Sequence, residues 1–168
     1  LTSESLVEAH LDAVYAYARA KLRQEELARE MVQRTFLKAF EKLGQLRDAL
    51  AARGWLLSIL RHEIAMEFRT KARLEFWDEE ALENTAGPED EEAVDPSLLE
   101  TLPAALDRIP EAARSILLLR FQQELSYEQI SDLLGLPLGT IQSRLHRAKA
   151  ALKTAMADEG LSLKGGPV

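Results

Sequence analysis

Between Glu75 and Pro96 the chain carries ten carboxylates and neither a lysine nor an arginine. The stretch includes Asn84-Thr85-Ala86-Gly87-Pro88, Glu89-Asp90-Glu91-Glu92 and Asp95-Pro96, and only Phe76 and Trp77 offer much apolar surface. Gly and Pro interrupt helices, and packed like charges repel one another in any compact state. Such a segment cannot be threaded through a hydrophobic core. The 168-residue chain is therefore expected to fold as two small modules, residues 1–74 and 97–160, joined by an acidic, mobile tether at 75–96. Residues 161–168, with Gly165-Gly166-Pro167, read as a flexible tail.

Both modules read as helical. In the first, Val7, Leu11, Val14, Tyr15, Ala18 and Leu22 recur at three- and four-residue steps. After the polar Arg23-Gln24-Glu25 break, Leu27, Met31, Phe36, Phe40 and Leu43 continue the rhythm. Gly44 to Gly54 bounds a loop or partial helix, and Leu56, Ile59, Leu60, Ile64 and Phe68 form a third stripe. Each stripe covers one helix face, and together they predict a compact bundle around a shared core. In the second module Leu99, Leu102, Leu106 and Ile109 mark one helix. Pro110 suits the first turn of the next, which buries Ile116, Leu117 and Phe121. The expected fold class is all-α.

Residues 126–153 have the layout of a helix-turn-helix. Ser126-Tyr127-Glu128-Gln129 matches a capping box, opening a short helix that carries Ile130, Leu133 and Leu134. Gly135 permits the tight turn, and Pro137 helps restart the chain. The longer helix turns Ile141, Leu145, Ala148 and Leu152 inward. That leaves Thr140, Ser143, Arg144 and Arg147 as an expected exposed stripe, flanked by Gln142, His146, Lys149 and Lys153. From Leu133 to Ala157 there are four basic residues and no acidic one. A helix of that kind fits the DNA major groove, where Arg, Gln and Ser read base edges and Lys or Thr holds phosphates. The plainer alternative is a basic, solvated face of an ordinary three-helix bundle.

Taken alone, the overall charge of −7 opposes nucleic-acid binding, but its distribution reverses that conclusion. Residues 1–74 sum to +3 and residues 96–168 to zero, so the acidity lies in the tether. In the first module Arg61, Arg69, Lys71 and Arg73 gather on or just after the third stripe, beside Trp55 and His62. Aromatic and cationic groups together suit single-stranded DNA, since bases stack and phosphates pair. Trp55 as a core anchor is the competing reading.

Other classes are poorly served. There is no cysteine, which excludes disulfides, thiolate metal sites and a cysteine nucleophile, and fits a reducing cytoplasm. His62-Glu63 begins like a zinc-protease motif, but the second histidine is missing. The three histidines are dispersed, and no Gly-rich phosphate loop is present. No apolar run approaches the ~20 residues of a membrane span. Neither an enzyme, a metal site, a cofactor nor membrane insertion is expected. Leu1 in place of Met suggests a start that lies upstream or was trimmed.

Taken together, these segments resemble a known family. Ala28-Arg29-Glu30-Met31-Val32-Gln33-Arg34-Thr35-Phe36-Leu37-Lys38-Ala39-Phe40 resembles the part of sigma factor region two that docks on the clamp helices of RNA polymerase. Trp55-Leu56, with Ile59 and Arg69, resembles the helix that engages the −10 element. Leu138-Gly139-Thr140-Ile141-Gln142-Ser143-Arg144-Leu145-His146-Arg147-Ala148-Lys149 resembles the region-four helix that reads the −35 element. Region two, acidic linker and region four, in that order, resemble the extracytoplasmic-function class of sigma factors. The resemblance implies core RNA polymerase, promoter DNA and an anti-sigma factor as partners. It implies polymerase contacts at Glu30, Gln33, Phe36, Leu37 and Phe40. It implies −10 contacts at Trp55, Arg61, His62, Arg69 and Arg73, and −35 contacts at Thr140, Gln142, Ser143, Arg144, His146, Arg147 and Lys149. The linker would pass through polymerase toward the RNA path. Family members often carry Asn where His62 stands, Asp where Met66 stands, and a basic residue at Gln142. Gln favours adenine where Arg favours guanine, so the −35 preference is expected to differ. Two rivals stand beside this reading: a sigma-like decoy that binds an anti-sigma factor without engaging promoters, and an ordinary helix-turn-helix repressor, a class that usually dimerises on palindromic sites.

Overall fold

A computed structural model describes residues 1–68 and 103–158. The acidic segment, the tail, Arg69 and Arg73 lie outside the described residues. The chain divides into two compact units, Leu1–Arg73 and Leu74–Val168. Every regular element among the described residues is helical, as the all-α reading expects.

The first unit is a three-helix bundle: α1 (Ser3–Leu22), α2 (Glu25–Glu41) and α3 (Ala52–Glu67). Helix α1 begins with a capping box in which the Thr2 hydroxyl accepts from the Ser5 N–H at 3.1 Å and the Ser5 hydroxyl accepts from the Thr2 N–H at 3.0 Å. It ends at Arg23, which takes the left-handed conformation (φ 58°) and lets α2 fold back. Two 3-10 turns, Leu43–Gln45 and Ala49–Ala51, fill the Gly44 to Gly54 interval, the second capped by the Asp48 side chain on the Leu50 N–H. The three helices pack pairwise around Leu6, Val14, Tyr17, Met31, Leu56, Leu57, Leu60 and Ile64, each at most 4% exposed. Full burial of one such aliphatic side chain contributes roughly 1.5–3 kcal/mol.

Several expected core positions lie further out, Leu11, Val7 and Ile59 among them. Leu11 is 40% exposed and Val7 is half-buried, because α1 centres its packing on Leu6, Val14, Tyr17 and Ala18 instead. Ile59 is half-buried, and its place facing the core is taken by Glu63, which lies one turn further along and is 4% exposed.

The second unit holds α4 (Pro103–Arg108), α5 (Glu111–Leu117), α6 (Tyr127–Leu134) and α7 (Leu138–Asp158). Pro110 occupies the N-cap of α5 rather than its first turn. Ile116 to Leu119 is buried on every side, as an all-apolar helical run demands. Helix α5 then widens into a π-turn, Leu118–Gln122, which leaves Phe121 half-buried instead of in the core. Helices α4, α5 and α6 all pack on α7, whose inner stripe is Ile141, Leu145, Ala148 and Leu152, each at most 1% exposed.

Candidate nucleic-acid and polymerase interfaces

Residues Ser126 to Asp158 form the helix-turn-helix. The Ser126 hydroxyl accepts from the Gln129 N–H at 3.1 Å, and the Gln129 side chain accepts from the Ser126 N–H at 2.9 Å. This is the reciprocal capping that the Ser-x-x-Gln spacing anticipates. Gly135 ends α6 in the left-handed region (φ 66°), which glycine enters without a Cβ clash. Three residues later α7 begins.

The face of α7 differs from the expected stripe. Arg144 and Ser143 are each only 8% exposed, and Thr140 and Arg147 are half-buried. The helical period explains Arg144. It stands three residues after Ile141 and four before Ala148, both fully buried, so its stem runs along the edge of the inward stripe. The short Ser143 side chain stays close to the helix axis, between Thr140 and Arg147. The open ridge is Gly139, His146, Ala150 and Lys153, with Gln142 and Lys149 half-buried beside it.

A ladder of cations and rings, not anticipated from the sequence, supports this ridge. The Lys149 ammonium lies 5.4 Å from the centroid of the Phe121 ring. The Arg120 guanidinium lies 5.8 Å from Phe121 and 5.2 Å from Tyr127, and Arg120 also donates to the Leu125 carbonyl at 3.2 Å. Cations over ring faces gain roughly 0.5–2 kcal/mol, so the π-turn anchors both helices of the motif. Nothing in the local pattern signals it, because the extra residue of the π-turn shifts Phe121 off the α-helical face.

On α3, Trp55, Ile59, His62 and Met66 follow one another at steps of four, three and four residues and share one outward face. Trp55 and Ile59 are half-buried and His62 is exposed, while Met66 is 46% exposed. Trp55 is thus not an enclosed core residue. Arg61 is half-buried and stands about 120° round the helix from Trp55.

Between α1 and α2 lies an open apolar groove of about 470 Å³, lined by Val7, Leu11, Tyr15, Val32, Phe36 and Phe40 and rimmed by Gln33 and Leu37. Phe36 and Phe40 form a tilted ring pair with centroids 6.2 Å apart. Leu37 is 54% exposed and Phe36 only 6%. Four of the five residues expected to meet polymerase therefore share this groove. The fifth, Glu30, is exposed and ion-paired with Arg34. Among the described residues no group of His, Asp or Glu could hold a metal ion, and no helix is long and apolar enough to cross a membrane.

A helical bundle whose outer ridge carries Trp55, followed by a unit built on a helix-turn-helix, has the layout of a DNA-binding transcription factor. Residues 6–74 match sigma-70 region 2, and residues 99–152 match sigma-70 region 4. The chain is 31% identical over 157 residues to the RNA polymerase sigma factor YlaC of Bacillus subtilis, covering 91% of each chain. It is 31% identical over 166 residues to the ECF RNA polymerase sigma factor SigE of Mycolicibacterium smegmatis, covering 92% of this chain and 61% of that protein. Its fold resembles that of the sigma factor RpoE in complex with the anti-sigma factor NepR from Bartonella quintana. There the TM-score is 0.69 at 24% identity, over 92% of this chain and 96% of that one. The chain belongs to the sigma-70 family of RNA polymerase sigma factors, in its extracytoplasmic-function class.

Proposed function

We propose that this protein binds core RNA polymerase and directs promoter-specific initiation in the cytoplasm, acting through binding energy and not as an enzyme. Family membership over nine-tenths of the chain carries the reading, and the exposed surfaces give it a physical form. The α1–α2 groove, with Gln33, Phe36, Leu37 and Phe40, docks on an apolar element of polymerase, and Glu30 meets a basic neighbour. Helix α7 enters the −35 major groove with Gln142, His146 and Lys149, and Thr140 and Arg147 reach phosphates or base edges from its flank. Ser143 and Arg144 join only if their side chains swing out of the domain. The outer ridge of α3 offers Trp55 and His62 to unpaired −10 bases, with Arg61, Arg69 and Arg73 holding the backbone. An anti-sigma factor, a partner named for the structural neighbour, would hold the factor inactive.

The burial of Arg144 is the one observation that favours the decoy reading, since a decoy needs no DNA face. Against it stands the acid-free ridge of α7. Transcription in vitro with purified core polymerase over a promoter library separates the two. Initiation at a defined motif is the expected result, and failure to support any initiation while still capturing an anti-sigma factor would identify a decoy.

A further inference from the structure

Helices α2 and α3 are joined by two ion pairs one helical turn apart. Lys38 on α2 pairs with Glu63 on α3, and Arg34 pairs with Glu67 at 3.1 Å while also bonding Glu30 on its own helix. The cations stand at i and i+4 on one helix, and the carboxylates stand at i and i+4 on the other. The earlier cation meets the later carboxylate, so the helices run antiparallel and the rungs match only in one axial register. A slip of one turn, about 5.4 Å, would leave a rung unpaired.

The two rungs differ in burial. Arg34 and Glu67 are 43% and 38% exposed at the side chain, and a surface pair of that kind adds little stability. The Glu63 side chain is 5% exposed and Lys38 45%. A carboxylate placed that deep contributes little net stability over an apolar side chain of similar size, because desolvation offsets the attraction. What such a buried charge can contribute instead is specificity of packing. An apolar contact tolerates sliding, whereas a buried charge tolerates only the register that keeps its partner.

Both faces proposed for function hang on this register. Helix α2 carries Gln33 and Leu37 on the groove, and α3 carries His62 and Met66 on the outer ridge, next to Glu63 and Glu67 in sequence. We infer that the Lys38–Glu63 and Arg34–Glu67 ladder is a register lock, with Glu63 as a positioning residue that fixes where the α3 ridge stands relative to the polymerase-docking face. This inference rests on the sigma-factor reading above. It predicts that the ladder matters for promoter opening more than for folding or for polymerase binding.

The test compares wild type with the Glu63→Leu/Lys38→Met double variant and with Glu67→Met, which removes the exposed rung, leaves the Arg34–Glu30 pair in place and should fold normally. Three quantities are measured on the full chain: thermal midpoint, affinity for core polymerase, and opening of a promoter carrying a fluorescent base in the −10 strand. The expected result is at least tenfold weaker opening for the double variant and about threefold for Glu67→Met. Core affinity should stay within twofold and the thermal midpoint within a few degrees. The charge-reversed Glu63→Lys/Lys38→Glu protein should recover most of the opening. Opening within twofold of wild type in both variants overturns the lock. So does a defect matched by an equal loss of core affinity. Failure of the wild type to open any promoter overturns the functional reading, and the lock with it.

Discussion

Leu37→Ala gives the most direct measure of the α1–α2 groove. Leu37 projects from α2 with 54% of its surface open, so its folding role is largely undemanding and its apolar area awaits a partner. Burying a whole leucine is worth roughly 1.5–3 kcal/mol, and the open share of Leu37 brings that to about 0.8–1.6 kcal/mol on docking. At about 1.4 kcal/mol per tenfold, truncation should weaken core binding by about 4- to 15-fold, toward the lower end because Ala keeps its Cβ. Stability should change by no more than about 0.5 kcal/mol, as for other exposed positions, and Ala is itself a good helix former. A fluorescently labelled factor titrated against core polymerase, with thermal unfolding alongside, reads both quantities. Leu37→Asp should lose more affinity by placing a charge on the apolar contact. Core affinity within twofold of wild type in both variants would refute the groove as the docking face.

The remaining predictions concern the motif, its charge and pH. A Cβ at Gly135 or Gly139 would touch nothing within 4 Å, but Gly135 has φ +66°. Gly135→Ala should therefore destabilise the second unit by roughly 1–2 kcal/mol, whereas Gly139→Ala, inside α7, should stabilise it by roughly 0.5–1 kcal/mol. Unfolding curves that shift in the same direction would contradict the turn geometry. Lys153→Ala should weaken binding to all DNA sequences alike and reduce the slope of log affinity against log salt by about 1; an unchanged slope removes Lys153 from the interface. The pKa of His10 lies below the ordinary histidine value, first because burial disfavours its charged form and then because Arg53 repels it. The unfolded chain thus binds the proton more readily, so stability is complete above about pH 6.5 and falls as the pH drops below it. His10→Gln should flatten the thermal midpoint between about pH 5 and 7, above the carboxylate range; an unaltered pH profile would mean that this histidine does not couple to folding.

Much of the fold is legible in local chemistry. Ser126 and Gln129 announce the start of α6, Gly135 its end, and the spacing of Ile141, Leu145, Ala148 and Leu152 the inner face of α7. Each signal acts within one or two helical turns, so the neighbouring residues suffice to decide it. The recurrence of Leu27, Met31, Phe36 and Phe40 likewise announces α2. Arg144 is a different case, since its place three residues after Ile141 and four before Ala148 was available from the period alone. Charge alone suggested an outward position, yet an arginine stem is apolar enough to follow its helix face inward.

Tertiary structure made the other decisions. Val7 and Leu11 belong to an apolar stripe, but whether a stripe packs inside or walls an open groove depends on where the neighbouring helices stop. Glu63 reads as a surface carboxylate until α2 brings Lys38 against it. The π-turn at Leu118–Gln122, which turns Phe121 from core residue to platform for Arg120 and Lys149, depends on packing against α6 and α7. The sequence by itself determined which segments become helices and, for α6, where the helix begins and ends, because those choices rest on contacts a few residues apart. Which apolar faces stay open, and which charges are drawn in, was settled only by the assembled bundles, because burial belongs to the surroundings of a residue and not to the residue.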